Sequence, residues 1–561
     1  MVLAQETSLR LDAGFVDYAI IALYFIFVLG IGVIARNAIS NSLDFFLSGR
    51  SLPAWITGLA FISANLGAIE IMGMSANGAQ YGMPTVHYFW IGAIPAMLFL
   101  GIVMMPFYYG SKVRSVPEFM LRRFGPGAHL VNAISFAIAQ VLIAGINLFL
   151  LAKIVEVLLG WPLLVALTLA ALIVLAYITL GGLSAAIYNE VLQFFVIVAA
   201  LTPLTIIALN KVGGWGGLSE RISAPEQMTA WPGNELVGFD SSILTVVGLV
   251  FGLGFVLSFG YWTTNFVEVQ RAMASKSMNN ARRTPIIGAF PKMFVPFIVI
   301  VPGMLAAVLV PEVRQGKASN PDFDFNNSLL YLMRDLLPNG MLGLAIAGLL
   351  ASFMAGMAAN ISSFNTVFSY DIWQDYIVKD REDGYYLRVG RVVTVIATVA
   401  AMGTALIASQ YSNLMDYLQL LFSFFNAPLF ATFILGMFWK KMTPTAGWVG
   451  LVTGTVTAVL IAVLSEDAFG AYSLGVLPLT GQGASFVAAG VAFVVDIAVS
   501  YAVTMATRPK PEAQLVGLVY SLTPRESFHD PRDARDSWYQ KPSLLAGIAL
   551  VMVIVLNLVF G

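Results

Sequence analysis

The chain has 561 residues, of which 58% are hydrophobic and only 11% are charged, and its mean hydropathy is +0.81. Soluble globular proteins carry about 25% charged residues, so this composition excludes an ordinary soluble fold and predicts a protein embedded in a bilayer. The 30 Lys and Arg residues balance the 31 Asp and Glu residues, which argues against nucleic acid as a partner. Without cysteine and with only three histidines, a metal enzyme built on these ligands is close to excluded.

Apolar runs long enough to cross a membrane recur along the whole chain. A helix needs about 20 predominantly apolar residues to span the hydrocarbon core. Fourteen such runs lie near residues 16–36, 54–78, 86–109, 129–155, 161–181, 188–208, 243–265, 285–309, 341–365, 389–408, 413–438, 445–465, 484–504 and 543–560. We therefore predict an all-α integral membrane protein with about 14 transmembrane helices in a single domain, residues 1–561.

The cations in the connections predict how the chain is oriented. With the N-terminus outside, one side of the membrane holds 22 Lys and Arg residues and the other side holds seven. Cytoplasmic connections carry the excess of cations, so both termini are predicted to lie outside. Residues 505–542 then form the one long cytoplasmic connection, a linker to the last helix. We expect a multi-pass protein of the cell membrane.

The second run contains a cluster of small and polar residues at its centre, and the seventh run contains one over residues 252–265. Residues 63–68 read Ser-Ala-Asn-Leu-Gly-Ala, and residues 258–265 read Ser-Phe-Gly-Tyr-Trp-Thr-Thr-Asn. Transporters often have two inverted repeats whose matching helices break at the midplane. Runs two to six (54–208) and seven to eleven (243–438) form two groups of five. Because five is an odd number of spans, the second group starts on the opposite side of the membrane and has the inverted orientation. The alternative is that these small residues only pack helices closely.

Several blocks in a consistent order resemble the sodium/solute symporter family. They are residues 44–53, 63–65, 116–119, 123–125, 181–186 with Gln193, 261–262, 270–271, 368–372 and 438–441. The chain is most similar to the bacterial sodium/galactose and animal sodium/glucose branch of that family, over about residues 15–560. The resemblance implies a leucine-transporter-like core of five plus five inverted helices that works by alternating access.

The resemblance also implies where a solute binds. The positions that line or gate the sugar pocket are occupied here by Asn65, Tyr88, Tyr261, Trp262, Lys292 and Gln419. Aromatic faces stack on the C–H surface of a sugar, and amide and amino groups bond to hydroxyls. The alternative is that these aromatic residues only pack and that Gln419 bridges helices, whereas a cation inside a membrane needs a partner or a wet cavity.

The solute positions also depart from the family pattern. Phe89 stands where relatives have a sugar-binding acid, Gly92 replaces a serine, Ser258 an asparagine and Glu70 a glutamine. A pocket that exchanges an acid for Phe89 offers fewer acceptors to sugar hydroxyls. We therefore expect a substrate other than galactose itself.

The sodium site implied by the resemblance is incomplete. Its carbonyl positions fall at Ser63, Leu66 and Ser352, and its two hydroxyl positions fall at Ala355 and Gly356. A hard cation such as sodium needs several oxygen ligands, and the loss of two hydroxyls predicts weak binding. Coupling to sodium is therefore expected to be altered or lost, unless water or the Ser63 hydroxyl replaces the missing oxygens.

Two acids offer another route to coupling. Glu190 stands where relatives have an aspartate on the ion's exit route, and Glu70 lies five residues beyond Asn65. A carboxyl group inside a membrane can bind and release a proton. The alternatives are a salt bridge for Glu190 and a hydrogen bond to solute or to Lys292 for Glu70.

Together these features predict a secondary active transporter that moves a small organic solute, a sugar or polyol, by sodium symport. The alternative is a proton-coupled or uncoupled carrier of a non-sugar solute. No enzyme activity is expected, because the chain lacks clustered His, Asp or Cys residues. Besides sodium or a proton as coupling ion, no cofactor is expected. The expected partners are the solute and the lipid bilayer, and the oligomeric state is left open.

Overall fold

The computed structural model of the protein describes residues 9–36, 47–67, 69–222, 224–231, 246–320, 323–466, 473–528 and 530–561. Within these ranges the chain forms helices, turns and irregular connections, and two isolated bridges, Leu52–Ser275 and Ser465–Leu477, are the only β-type pairings. The predicted all-α class is therefore confirmed. Residues 44–46 of the first family-like block lie outside the described residues.

The helices of the described residues are numbered in chain order. They are α1 (Phe15–Arg36), α2 (Ala54–Asn65), α3 (Ile69–Tyr81), α4 (Met83–Gly110), α5 (Val116–Phe124), α6 (Pro126–Leu159), α7 (Leu163–Val212), α8 (Gly214–Arg221), α9 (Gly248–Thr264), α10 (Phe266–Met273), α11 (Met278–Leu309), α12 (Pro311–Ser319), α13 (Ser328–Leu336), α14 (Met341–Ile377), α15 (Asp383–Ala408), α16 (Leu414–Phe438), α17 (Pro444–Leu464), α18 (Gly481–Ala506) and α19 (Pro542–Val559). Short 3₁₀ turns join several of them.

Over the described residues, 11 helices are long and apolar enough to cross a membrane, and the total is 13 if each of two bent pairs forms one span. These elements coincide with thirteen of the predicted runs. The run at 161–181 coincides with a shorter apolar stretch, Leu163–Leu175, which continues without a break into the next run within α7. A multi-pass membrane protein is thus confirmed, and the count of 14 stays a prediction.

The two bent pairs are the second and seventh predicted spans. Helices α2 and α3 meet at 59°, and α9 and α10 meet at 48°. At the second bend Asn265 has an extended backbone, and its side chain accepts a hydrogen bond from the amide of Val267. A Cβ on Gly67 at the first bend would lie 3.3 Å from the Cα of Gly356 in α14. The small and polar residues therefore both satisfy the freed backbone and allow close packing.

Helices α3 and α11 pack with their backbones almost in contact. A Cβ on Gly303 would lie 1.9 Å from the carbonyl oxygen of Ser75, and one on Gly78 would lie 2.2 Å from that of Ile300. The Ser75 hydroxyl also donates to the carbonyl of Val299 at 2.6 Å. Only glycine fits at such a distance, so these residues fix how α3, the second half of the first broken helix, meets α11.

Two hydrogen bonds join segments that the distribution of Lys and Arg residues predicts to lie on the same side of the membrane. The amide of Leu11 donates to Val157, and the amide of Ala230 donates to Phe560. These segments were all predicted to lie outside. Which of the two faces is extracellular stays a prediction.

The predicted linker packs on the opposite face, against the N-terminus of α11. Asp533 accepts hydrogen bonds from the Ser277 hydroxyl at 2.6 Å and the Asn279 amide at 2.9 Å. Arg283 pairs with Asp536 at 3.3 Å. Carboxylates are favourable at a helix N-terminus, where amides are unpaired. The segment is therefore attached to the helical bundle by directed contacts.

Candidate functional site

A cavity of about 90 Å³ lies where the two broken helices face each other. Helices α2, α3, α4, α6, α9, α11, α14 and α16 contribute to its wall. Eight of the nine predicted solute-binding residues line it: Asn65, Glu70, Tyr88, Ser258, Tyr261, Trp262, Lys292 and Gln419. The ninth, Phe89, is buried behind the wall. The lining also includes Asn147, Asn265 and Asn360, which the sequence analysis missed.

Lys292 is the cation at the centre of this wall. Its Nζ donates to the side-chain oxygen of Asn65 and, at 2.5 Å, to Glu70 Oε1. The same nitrogen lies 4.7 Å from the ring centroid of Phe89 and 5.4 Å from that of Trp262. A buried ammonium group is held by a paired carboxylate, hydrogen bonds and aromatic faces. Phe89 thus supports the lysine instead of contacting the cavity.

Tyr261 connects the cavity to a carboxyl group beneath it. Its hydroxyl accepts from Asn65 Nδ2 at 3.1 Å and donates to Glu268 Oε1 at 2.7 Å. Its ring lies 4.6 Å from that of Phe422, which also lines the cavity. Glu268 is not among the predicted site residues, because the predicted seventh run ends at residue 265, three positions before it.

The far end of the cavity is tied to α18. The Tyr88 hydroxyl donates to Gln482 Oε1, and Gln482 Nε2 donates to Asn77 at 3.0 Å and to Asp416 at 2.7 Å. Gln419 Nε2 lies 3.4 Å from the sulfur of the methionine one turn earlier. Because Gln482 lies outside both predicted repeats, no pattern in the sequence indicated its contact with Tyr88.

The predicted sodium site contains a direct hydrogen bond. The Ser352 hydroxyl donates to the carbonyl of Leu66 at 2.7 Å, so one of the three expected carbonyl ligands already accepts a hydrogen bond within the protein. The Ser63 hydroxyl is buried without a hydrogen-bond partner among the described residues. Ala355 and Gly356 supply no side-chain oxygen. These residues therefore fit a sodium ion poorly, because such an ion needs several converging oxygens.

Glu190 lies in a buried ion pair away from the cavity wall. Its two oxygens accept from Arg271 Nη2 at 2.5 Å and Nε at 3.3 Å, and both side chains are fully buried. Arg271 also donates to the Val267 carbonyl at 3.0 Å. The salt bridge that the sequence analysis left as an alternative is present.

One group of possible metal ligands occurs among the described residues, where α6 begins and α14 ends. It consists of His129, Asp371 and Asp375. His129 Nε2 lies 3.0 Å from Asp371 Oδ1, and its Nδ1 lies 2.9 Å from the Tyr376 hydroxyl. Both ring nitrogens thus have hydrogen-bond partners, and the group joins the two helices as it stands.

Comparison with known families provides the classification. The model of the sodium:solute symporter family matches residues 45–454, well over half of the chain. The chain belongs to this family. The match includes both broken helices and every residue named above as lining the cavity.

Individual relatives agree with this membership. The sodium/glucose cotransporter of Vibrio parahaemolyticus is 29% identical over 466 residues, covering 80% of this chain and 85% of the relative. Sodium/glucose cotransporter 4 of Danio rerio is 27% identical over 566 residues, covering 95% and 85%. The family resemblance seen in the sequence is therefore confirmed, and these relatives are transporters rather than enzymes.

Solved structures show that the fold is shared more widely. A Na⁺-coupled sialic acid symporter in a substrate-bound outward-open state has a TM-score of 0.73 at 18% identity, covering 89% of this chain and 99% of that one. A nucleobase-cation-symport-1 family transporter in a closed conformation has a TM-score of 0.51 at 14% identity, covering 84% and 96%. The family member described here has the fold of such transporters.

Proposed function

We propose that this protein is a secondary active transporter that carries a small, uncharged, polyhydroxylated solute, a sugar or polyol, across the cell membrane. The observation that carries the proposal is the cavity at the two helix breaks, lined by Lys292, aromatic rings and amides. Residues 54–208 and 243–438 would form the inverted repeats, and alternating access would open the cavity to each side in turn. Both termini would lie outside.

The charges on the cavity wall favour a neutral solute. Lys292 is matched by Glu70 at 2.5 Å, so these two groups together present no net charge. An anionic solute would have to compete with Glu70 for the lysine, and a cationic one with Lys292 for the glutamate. The names of relatives point the same way, since they include cotransporters for glucose and myo-inositol.

The remaining lining suits a ring that has apolar faces and polar edges. Trp262 and Tyr261 present aromatic surface, and their ring planes stand 89° apart, at 5.3 Å between centroids. Sugar C–H groups pack on such faces, while Asn65 and Gln419 supply directional hydrogen bonds to hydroxyls.

Binding tests the solute class. Purified protein is heated with D-glucose, D-galactose, myo-inositol, an amino acid or a dicarboxylate, and the unfolding temperature is measured for each. Stabilisation by a sugar or polyol supports the proposal, and stabilisation only by charged solutes contradicts it. Trp262→Leu should abolish the effect, while Trp448→Leu, which alters a partly exposed tryptophan outside the cavity lining, should retain it.

Family membership supports sodium as the driving ion, and this is the first candidate. The second candidate is a carrier that runs without sodium. It is favoured by the Ser352–Leu66 hydrogen bond and by the missing oxygens at Ala355 and Gly356. Solute uptake into proteoliposomes at fixed pH and zero membrane potential separates the two: a steep dependence on inward sodium supports symport with sodium. Uptake that responds only to a proton gradient, or to neither gradient, supports the second candidate.

A further inference from the structure

Glu268 is a buried acid whose surroundings do not stabilise a negative charge. The residue is fully buried, and one of its oxygens accepts a hydrogen bond from the Tyr261 hydroxyl at 2.7 Å. Its other oxygen, Oε2, has no hydrogen-bond partner among the described residues. An ionised carboxylate in such a place loses its hydration and gains one neutral donor in return.

Of the three carboxyl groups in this region, Glu268 is the one that is not paired with a cation. On its own helix, Arg271 is bound by Glu190 of α7 at 2.5 Å. On α11, Lys292 is bound by Glu70 of α3, also at 2.5 Å. Three acids thus share two cations, and both cations are already in ion pairs.

The other helices packed against α10 contribute neutral groups. Tyr261 of α9 donates to Glu268 itself, α2 carries no ionisable residue, and Tyr108 of α4 donates to the Thr263 carbonyl of α9 at 3.0 Å. Ser363 of α14 donates to the amide oxygen of Gln270 at 2.9 Å. With Glu268 protonated, the two cations and the other two acids balance each other, and this set of five ionisable groups has no net charge. With Glu268 ionised, an uncompensated charge is buried inside the membrane.

We propose that Glu268 is a proton-binding site on the transport path and that its proton travels with the solute. This inference rests on the proposed transport function and names the group that would couple it. The proton comes from water on the side to which the cavity is open, binds at Oε1, the oxygen that faces the Tyr261 hydroxyl, and is released to water on the other side. No other bond is made or broken.

Tyr261 supplies the link between this proton and the solute. An ionised Glu268 accepts a hydrogen bond from the Tyr261 hydroxyl, whose proton then points away from the cavity. A protonated Glu268 can instead donate to the tyrosine oxygen, and the tyrosine proton becomes available to a solute oxygen. Solute binding and protonation therefore favour each other, and by linkage the effect is reciprocal.

Infrared spectroscopy tests the site without any solute. A protonated carboxyl has a C=O stretching band that an ionised carboxylate lacks, so the spectrum of Glu268→Gln subtracted from that of the unaltered protein at neutral pH should show such a band. In Tyr261→Phe the band should move, because its hydrogen bond is lost. Asp496→Asn is the matched control. That buried acid accepts from Thr432 and Ser500 outside the cavity lining, so its removal should leave the Glu268 band unchanged. Absence of the band at every pH at which the protein is folded overturns the inference.

Transport tests the coupling. Proteoliposomes with equal sodium on both sides and an internal pH indicator receive D-glucose, D-galactose or myo-inositol, and proton movement and solute counterflow are recorded. We expect solute-driven proton movement that Glu268→Gln abolishes while counterflow of the same solute persists. Proton movement that persists in Glu268→Gln overturns the inference and leaves the transport proposal standing. If no counterflow of any panel solute occurs, the transport proposal fails, whereas the infrared band still decides whether Glu268 holds a proton.

Discussion

Replacing Glu70 by glutamine removes the carboxylate that neutralises Lys292 and puts a side chain of nearly the same shape in its place. In the unaltered protein the two groups are 2.5 Å apart, and Lys292 is 1% exposed. The substitution leaves one net positive charge on the cavity wall. The amide oxygen of Asn65 and the rings of Phe89 and Trp262 remain to hold the ammonium group. The expected result is a change of solute preference from neutral to anionic.

The size of this change follows from the position of the charge. A solute carboxylate about 6 Å from Lys292 Nζ gains about 3 kcal/mol at an effective dielectric constant of about 20. Every 1.4 kcal/mol is worth about tenfold in affinity, so the full effect is on the order of a hundredfold. Water in the cavity screens part of it. We therefore expect the affinity ratio of anionic to neutral solute to rise by about tenfold to a hundredfold.

D-Glucose and D-glucuronate are suitable probes because they differ by a carboxylate at one end of the same ring. Their dissociation constants for the unaltered protein and for Glu70→Gln are measured by titration calorimetry at low and at moderate ionic strength. The double variant with Lys292→Met removes both charges and should bring the ratio back to within about threefold of its starting value. An unchanged or reversed ratio in Glu70→Gln would refute the neutral-cavity reasoning.

Three further predictions concern stability. Glu190→Gln leaves the fully buried guanidinium group of Arg271 without its carboxylate, so we expect the free energy of unfolding in dodecyl sulfate to fall by about 3–5 kcal/mol. Adding Arg271→Met should recover most of this loss. A loss below about 1 kcal/mol in Glu190→Gln would contradict a stabilising ion pair. Gly303→Ala places a methyl group against the Ser75 carbonyl of α3 and should lower the same free energy by about 1–3 kcal/mol. The control Gly403→Ala should not lower it, because a methyl group there meets nothing within 4 Å. Equal effects of the two variants would contradict the close packing of α3 on α11. The ion pair with Arg532 lowers the pKa of Asp530 from 3.8 to about 2. The stabilisation that ionised Asp530 gives the folded protein is therefore complete above pH 3.8 and is lost as the pH falls toward about 2. Acid should therefore expose the 505–542 segment to pepsin over that window, and unchanged cleavage across it would count against the contact.

The broad class of the protein could be predicted because it depends on local properties of the chain. The length of an apolar run decides whether a helix crosses the bilayer, and thirteen of the predicted runs coincide with elements that have that length and composition. Clusters of Gly, Ser and Asn marked both helix breaks correctly, since a break needs residues that satisfy or shield freed backbone groups. The run at 161–181 was harder to delimit because the apolar pattern continues into the next helix.

The candidate site could be predicted only in part. Eight of the nine solute-binding residues predicted from the family resemblance lie on the cavity wall, but Phe89 lies behind Lys292 as a cation–π partner. The sequence also showed that oxygens are missing at Ala355 and Gly356. It could not show that Ser352 donates to Leu66, because that bond joins residues 286 positions apart.

The low content of charged residues by itself indicated a membrane protein, because so few charged groups cannot cover a water-exposed surface. It could not determine which of the remaining charges meet. The two ion pairs, Lys292 with Glu70 and Arg271 with Glu190, join segments far apart in the chain, and so does the contact of Tyr88 with Gln482. Only the tertiary structure placed Glu268 beside them as the acid without a cation, because pairing inside a membrane depends on distances of a few ångströms between helices and not on spacing along the chain.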